Sequence, residues 1–462
     1  MLDLIVSGGR VFAEDGVVIA DVAVRGETIV EVAPRITQPA RRRIDATGLA
    51  VLPGLVDPHV HLGLPAAATV SCDDVASGTR AALFGGVTTV IDFSLQRPGE
   101  GLADAAERRA EEFAGRSFCD FAVHANMTSF GPDFAARLPD ELDRLAGMGC
   151  TSLKVFTTYA RRGMMIPPEQ LPTVLRAAAA RGLVVLVHAE DDSIVNAATD
   201  RLLAAGHTTA RDFPTSRPAA AEAAAVTAVT AAAIEAGATL YVVHVSTAGG
   251  LAAVEAARGR IAAGSQARIL AETCPQYVVL THERYTGADA HRFVVTPPLR
   301  SPADRDALRG SLSAFDTIAT DHCPFMTADT DRPDAPFTEL PSGLPGIETR
   351  LPILWTLAAR DHLLTEERVV ELLATRPAEI FGLAPRKGAI RSGADADLVL
   401  LDPAARWTIR ASDLHSRCDH SPYEGMEVQG RVRTVLLRGD AVVDAGVSAS
   451  DPRGRHLPRV AD

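Results

Sequence analysis

Apolar residues follow two different rhythms along this 462-residue chain. Over the first fifty positions they alternate with polar ones in short runs, Asp3–Ser7, Val17–Ala23, Thr28–Val32 and Arg42–Ala46, punctuated by Gly8-Gly9, Asp15-Gly16 and Arg25-Gly26. A period of two broken by turn residues predicts strands joined by hairpins. The tail from about Lys387 repeats the pattern over Gly393–Asp402, Val432–Arg438 and Ala441–Asp444, with Gly388, Gly393, Gly430 and Gly439 as breaks. Two strand-rich ends around a different centre predict that the termini meet in one small β domain.

In the centre, short β-branched runs are continuously apolar: Val51–His61, Val87–Phe93, Asp120–Ala125, Ser152–Phe156, Leu183–Ala189, Leu240–Ser246, Arg268–Thr273 and Thr317–Asp321. Helical patterns separate most of them, at Asp73–Phe84, Gly101–Phe113, Pro132–Met148, Pro168–Arg181, Arg217–Ala236, Ala248–Ala263 and Asp304–Ser313. Strands alternating with helices imply a parallel sheet with helical crossovers. Eight of them predict an α/β fold, a closed (β/α)8 TIM-type barrel with its active site at the C-terminal strand ends. The expected domains are 1–50 and 387–462, two parts of one β domain, and the barrel over 51–386.

Several of those strand ends carry chemistry. The first closes on DPHVH, and in an extended strand His59 and His61 face the same side. Lys154 lies in the fourth, His188 ends the fifth, His244 the sixth and Asp321 the eighth. Each has a bland reading: a satisfied core histidine, a snorkelling lysine, a turn-capping aspartate. Together they are six donors on one face of one barrel. Four imidazoles and a carboxylate suit borderline divalent ions such as zinc, and exceed what one tetrahedral ion needs, so two ions are expected. A lysine among cations is forced neutral. A neutral amine adds CO2 to give a carbamate, whose two oxygens can bridge both ions.

Composition narrows the partners. A net charge of −12 without a basic run argues against nucleic acid or an anionic membrane surface. No apolar stretch is expected to span a membrane, because the longest, Pro218–Ala236, is broken by Glu222, Thr227, Thr230 and Glu235. The opening MLDLIVSGGRVF reads as strand and turn rather than a leader, and the six cysteines lack CxxC spacing. A reducing cytoplasm with free thiols is the expected setting.

The motifs DPHVH (57–61), SCDDVASGTRAALFGGVTTVIDF (71–93), SLKVFTTY (152–159), VHAE (187–190) and VHVST (243–247) carry a resemblance. So do ETCPQY (272–277), TPPLR (296–300), ATDHCPF (319–325), GLPGIETR (343–350) and DHSPYEGMEVQGRV (419–432). The whole chain resembles cyclic amidohydrolases of the dihydropyrimidinase/hydantoinase group, within the metal-dependent amidohydrolase superfamily. The resemblance implies that His59, His61 and Asp321 hold one metal, His188 and His244 the other, and carboxylated Lys154 bridges both with a hydroxide. It implies Asp321 as proton shuttle, Tyr159 as donor to the oxyanion, a β-sandwich at the joined ends and a homotetramer. The implied reaction opens cyclic amides and imides, hydantoins or dihydropyrimidines, to N-carbamoyl amino acids by attack of the bridging hydroxide.

Three positions depart from the common pattern. Thr296 replaces the serine of SPPLR, Ser342 replaces the asparagine before GxPG, and TTY follows the bridging lysine instead of MAY. In the family the first two positions, with Tyr159, contact substrate, largely through backbone groups. Dihydroorotases usually carry an arginine where Gly63 stands, so a neutral ring is expected, against a wall of Leu62, Leu64, Phe93 and Phe156. Arg97 or Arg162 are the cations within loop reach. Allantoinase and dihydroorotase are the alternatives, with metal-free assembly proteins of the same fold a remote one.

Overall fold

The computed structural model describes residues 1–66, 68–97, 99–130, 133–332 and 334–460. Its centre is an eight-stranded parallel sheet: Leu55–Val60, Val87–Phe93, Asp120–Asn126, Ser152–Phe156, Val184–His188, Thr239–Val242, Arg268–Thr273 and Thr317–Ile318, paired in sequence order. The sheet curls until its first and last strands meet. A parallel bridge joins Val60 to His322, and the His61 amide donates to the His322 carbonyl at 2.9 Å. The buried Asp57 carboxylate takes the Thr320 amide (3.2 Å) and hydroxyl (2.7 Å) across the same seam. This is a TIM-type barrel, with helices such as Val75–Phe84, Leu102–Phe113 and Ala219–Ala236 around it.

The N- and C-terminal segments share a second, nine-stranded sheet that forms the β-sandwich domain. Its middle strand is Ala50–Pro53, antiparallel to Leu398–Leu401 and parallel to Arg10-Val11. The run Val51–His61, expected as one barrel strand, is therefore two strands in two sheets. Gly54 makes the crossing: its amide donates to the Asp397 carbonyl at 2.8 Å, and an added Cβ would lie 2.2 Å from the Thr88 hydroxyl. Gly8-Gly9, expected as a turn, is an irregularity within the strand Leu2–Ala13. A Cβ at Gly9 would meet the Val51 side chain at 2.5 Å, so the glycine lets two strands approach rather than reversing the chain. Gly430 likewise lies inside Glu427–Leu437, against Trp355.

The remaining boundaries differ mostly by a few residues. The eighth strand stops at Ile318 instead of Asp321 and the sixth at Val242 instead of Ser246. In both, the chain leaves extended geometry to aim a side chain, as described below. The helix expected from Pro132 is described from Phe134 to Gly147, and Pro132 itself lies outside the described residues. One expectation about apolar length is corrected. The helical segment Ala210–Ala236 is long and apolar enough, by length and composition, to cross a membrane. Its Glu222 nevertheless faces the protein, buried and bonded to Ser246 and Thr247.

Candidate active site

Every expected site residue lines one cavity of about 580 Å3 at the C-terminal mouth of the barrel: His59, His61, Lys154, His188, His244, Asp321, Tyr159, Thr296 and Ser342. Strand geometry delivers His59, Lys154 and His188 directly. The others need turns. Six described non-glycine residues have positive φ, and three of them are Tyr159 (71°), His244 (39°) and Asp321 (51°). Such conformations are costly for side chains other than glycine and collect where function fixes a geometry.

The His59 and His61 Nε2 atoms each lie 3.2 Å from Asp321 Oδ1. Three donor atoms this close match the separations of ligands around one small divalent ion. His59 Nδ1 meets Glu272 Oε1 at 2.7 Å, which leaves Nε2 for the cavity, and buried His61 Nδ1 has no partner among the described residues. On the facing side, His188 Nδ1 lies 3.0 Å from His244 Nε2, and His188 Nε2 lies 2.7 Å from Glu190. Burial pushes His59, His188 and His244 below the ordinary imidazole value, so they are held neutral, the form that ligates metals. Burial works to raise the Asp321 carboxyl, but His59, His61 and Lys154 outweigh it and keep it below the usual range.

Lys154 is 3% exposed, with its Nζ 5.2 Å from the Phe93 ring centre and 5.6 Å from that of Phe156. Burial pulls its amine down to about 8, against the opposing pull of Asp321 and Glu272. Tyr159 packs beside His188, and burial raises its hydroxyl, which keeps the proton. The Thr296 and Ser342 hydroxyls bond each other at 2.7 Å. The two departures from the common motif thus form one contact.

Several neighbours had no assigned role. Glu272 bonds His59, the His244 amide (3.0 Å) and Tyr241 (2.8 Å), and burial raises it to about 7. It sits at the end of the seventh strand, where the strand-end pattern points to it. Burial works to raise Glu190, but Arg217 and His188 hold it well below the carboxylate range. Glu190 stands two residues after His188, but Arg217 comes from a loop with no sequence signal. Asn126 lines the cavity, its Oδ1 without a hydrogen-bond partner among the described residues.

The expected wall is partly corrected. Leu64, Phe93 and Phe156 line the cavity, joined by Pro65, Met164, Val195 and Phe337. Leu62 instead points into the core, where it fills the space over Gly78. Arg162 lines the cavity, but Arg97 is not in its lining.

Residues 50–442 match the model of the amidohydrolase family. A D-hydantoinase of Ralstonia pickettii is 36% identical over an alignment of 465 positions, covering 99% of both chains. A D-hydantoinase of Rhizobium radiobacter is 35% identical over 98% of this chain and 97% of its own. The crystal structure of a dihydropyrimidinase from Brevibacillus agri NCHU1002 superposes with a TM-score of 0.94 at 34% identity, covering 100% of this chain and 99% of that one.

Proposed function

Because the chain belongs to the amidohydrolase family, we propose that it hydrolyses cyclic amides and imides, hydantoins and dihydropyrimidines, to N-carbamoyl amino acids. The observation that carries this reading is the convergence of six donor side chains from five strand ends on one cavity, in a chain that aligns end to end with D-hydantoinases. The barrel of 51–386 carries the chemistry and 1–50 with 387–462 the second domain, the strand Ala50–Pro53 being shared across the first boundary.

In this reading His59, His61 and Asp321 would hold one zinc ion, His188 and His244 a second, and Lys154, as its carbamate, would serve both. Such a pair of ions would supply hydroxide at neutral pH and polarise a carbonyl. The chain's own residues do the rest. Lys154, with its amine near 8, offers the free base that takes up CO2. Asp321, ionised at the cavity floor, accepts a proton from the nucleophile and returns it to the leaving nitrogen. Tyr159 keeps its proton and donates it as a hydrogen bond to the developing oxyanion. The Thr296 and Ser342 hydroxyls engage each other, and these residues offer backbone groups to the imide. Glu272 and Glu190 fix the tautomers of His59 and His188. The enzyme works as a cytoplasmic homotetramer.

One observation favours a second reading. Arg162 lines the cavity over the Tyr159 ring (5.3 Å), with no ion-pair partner among the described residues, and would receive a carboxylate-bearing ring such as dihydroorotate. Comparison of kcat/KM for hydantoin, dihydrouracil, allantoin and dihydroorotate on one preparation decides. Neutral rings are expected to be faster. Dihydroorotate as the fastest substrate would replace the first reading with the second.

A further inference from the structure

Outside the cavity, one loop brings three donor groups together. Cys418, Asp419 and His420 place a sulfur, a carboxylate oxygen and a ring nitrogen within 4.8 Å of one another. The Cys418 sulfur lies 3.5 Å from His420 Nδ1, and that nitrogen lies 3.4 Å from Asp419 Oδ1. The Cys72 thiol, from the loop after the first barrel strand, interacts with Cys418 but lies outside that cluster of three.

These separations have a geometric meaning. Zinc bonds of ~2.3 Å to sulfur and ~2.0–2.1 Å to nitrogen and oxygen, arranged tetrahedrally, set sulfur–nitrogen and nitrogen–oxygen edges of about 3.5 and about 3.4 Å. Both observed edges agree. The carboxylate is also oriented from behind, since Asp419 Oδ1 accepts the Thr327 amide at 2.8 Å, as supporting bonds around metal ligands do. Arg292, the nearby cation, is occupied by two bonds to Asp331 (2.9 and 2.7 Å). A surface cavity of about 230 Å3, lined by Asp419 and His420, gives entry. One contact opposes metal binding. The Cys418 thiol donates to the Phe325 carbonyl at 3.2 Å, a bond lost with the proton when a metal displaces it.

We propose that Cys418, Asp419 and His420 form a structural site for a thiophilic divalent ion of the zinc class, separate from the barrel centre. The ion would stiffen the 418–420 loop against the segment around Cys72. The Cys72 amide already bonds the Pro324 carbonyl (2.8 Å), and Asp73 receives the Arg417 amide (2.9 Å). Ser71, beside Cys72, accepts the Leu64 amide (2.9 Å) and donates to the His61 carbonyl (3.0 Å). A metal here therefore holds the cavity wall at Leu64–Ala66 from outside.

Cobalt separates this site from the barrel, whose expected donors contain no sulfur. Titration of the purified, metal-loaded protein with Co2+ should raise a near-ultraviolet sulfur-to-cobalt charge-transfer band, saturating at one ion per chain and displaced by Zn2+. Cys418→Ser should abolish the band, and His420→Ala should weaken cobalt affinity at least ~10-fold. Cys323→Ser, which alters a cavity-lining thiol, should leave the band in place. No band from a protein whose thiols all titrate as free, or Cys72 and Cys418 recovered as a disulfide, would overturn the site.

Discussion

Two lysines are buried in this protein, one at each end of the barrel, and they are driven in opposite directions. Lys154 at the mouth and Lys387 beneath the barrel are each 3% exposed. Lys387 bonds Asp120 at 2.7 Å, Asp397 at 2.6 Å and Asp395 at 3.0 Å, and those carboxylates overcome burial and raise its amine above the ordinary value. Lys154 has aromatic rings and neutral imidazoles around it, and burial takes its amine down to about 8. Desolvation is common to both. What differs is that carboxylates bond the Lys387 ammonium directly, whereas Asp321 and Glu272 act on Lys154 without an ion pair among the described residues, and that makes one lysine a rivet and the other a reagent.

The strongest way to break the comparison is to remove the reagent. Lys154→Ala should fold normally but lose roughly 10³-fold or more in kcat on hydantoin, with partial rescue by added acetate or propionate. Wild-type kcat in that variant would make Lys154 another structural residue. Lys387→Met should do the reverse. Three carboxylates lose a cation, Asp120 keeping Arg438 and Asp395 keeping Arg386. Removing one partner of a buried ion pair costs about 3–5 kcal/mol, readable as a lower urea midpoint, while kcat per folded molecule stays put.

The subtlest test is the pH dependence of stability in chelated, metal-free protein. The Lys154 amine titrates at about 8 when folded and near 10.5 when unfolded. Between those values the unfolded chain binds more protons, so stability should rise with pH, by roughly 3 kcal/mol over the whole interval. Lys387 is raised above 10.5, so its contribution is complete below that pH and fades as the solution climbs through its folded value. Urea midpoints from about pH 7 to 11 should lose the rise in Lys154→Met and the later fall in Lys387→Met. Identical slopes in both variants would remove the distinction.

The same contrast explains what was legible in the sequence. Lys154 announces itself, because a charged residue inside SLKVF has no bland role as easy as a metal-bridging one. Lys387 sits among ordinary loop residues, and only the fold brings Asp120 within 2.7 Å across 267 positions. The strand-end donors were readable because side-chain direction in a strand has period two. Arg217 and the Thr296–Ser342 contact were not, since loop conformation decides them. The division of Val51–His61 was hidden for a simpler reason. A strand buried in one sheet and a strand buried in the next are equally apolar, and Gly54 between them looks like any small residue.

That shared strand also governs when the protein can finish folding. Ala50–Pro53 has partners on one side at Arg10-Val11, and on the other at Leu398–Leu401. Position 398 leaves the ribosome 345 residues after position 53 (398 minus 53). At about 5–20 residues per second that is a wait on the order of twenty to seventy seconds. Throughout it the nascent chain carries an unpaired, apolar strand edge directly ahead of the first barrel strand, the kind of edge that captures foreign strands. The barrel's entrance strand is thus tethered to a sheet whose later members are made only after the barrel strands, and chaperone demand should fall on that interval.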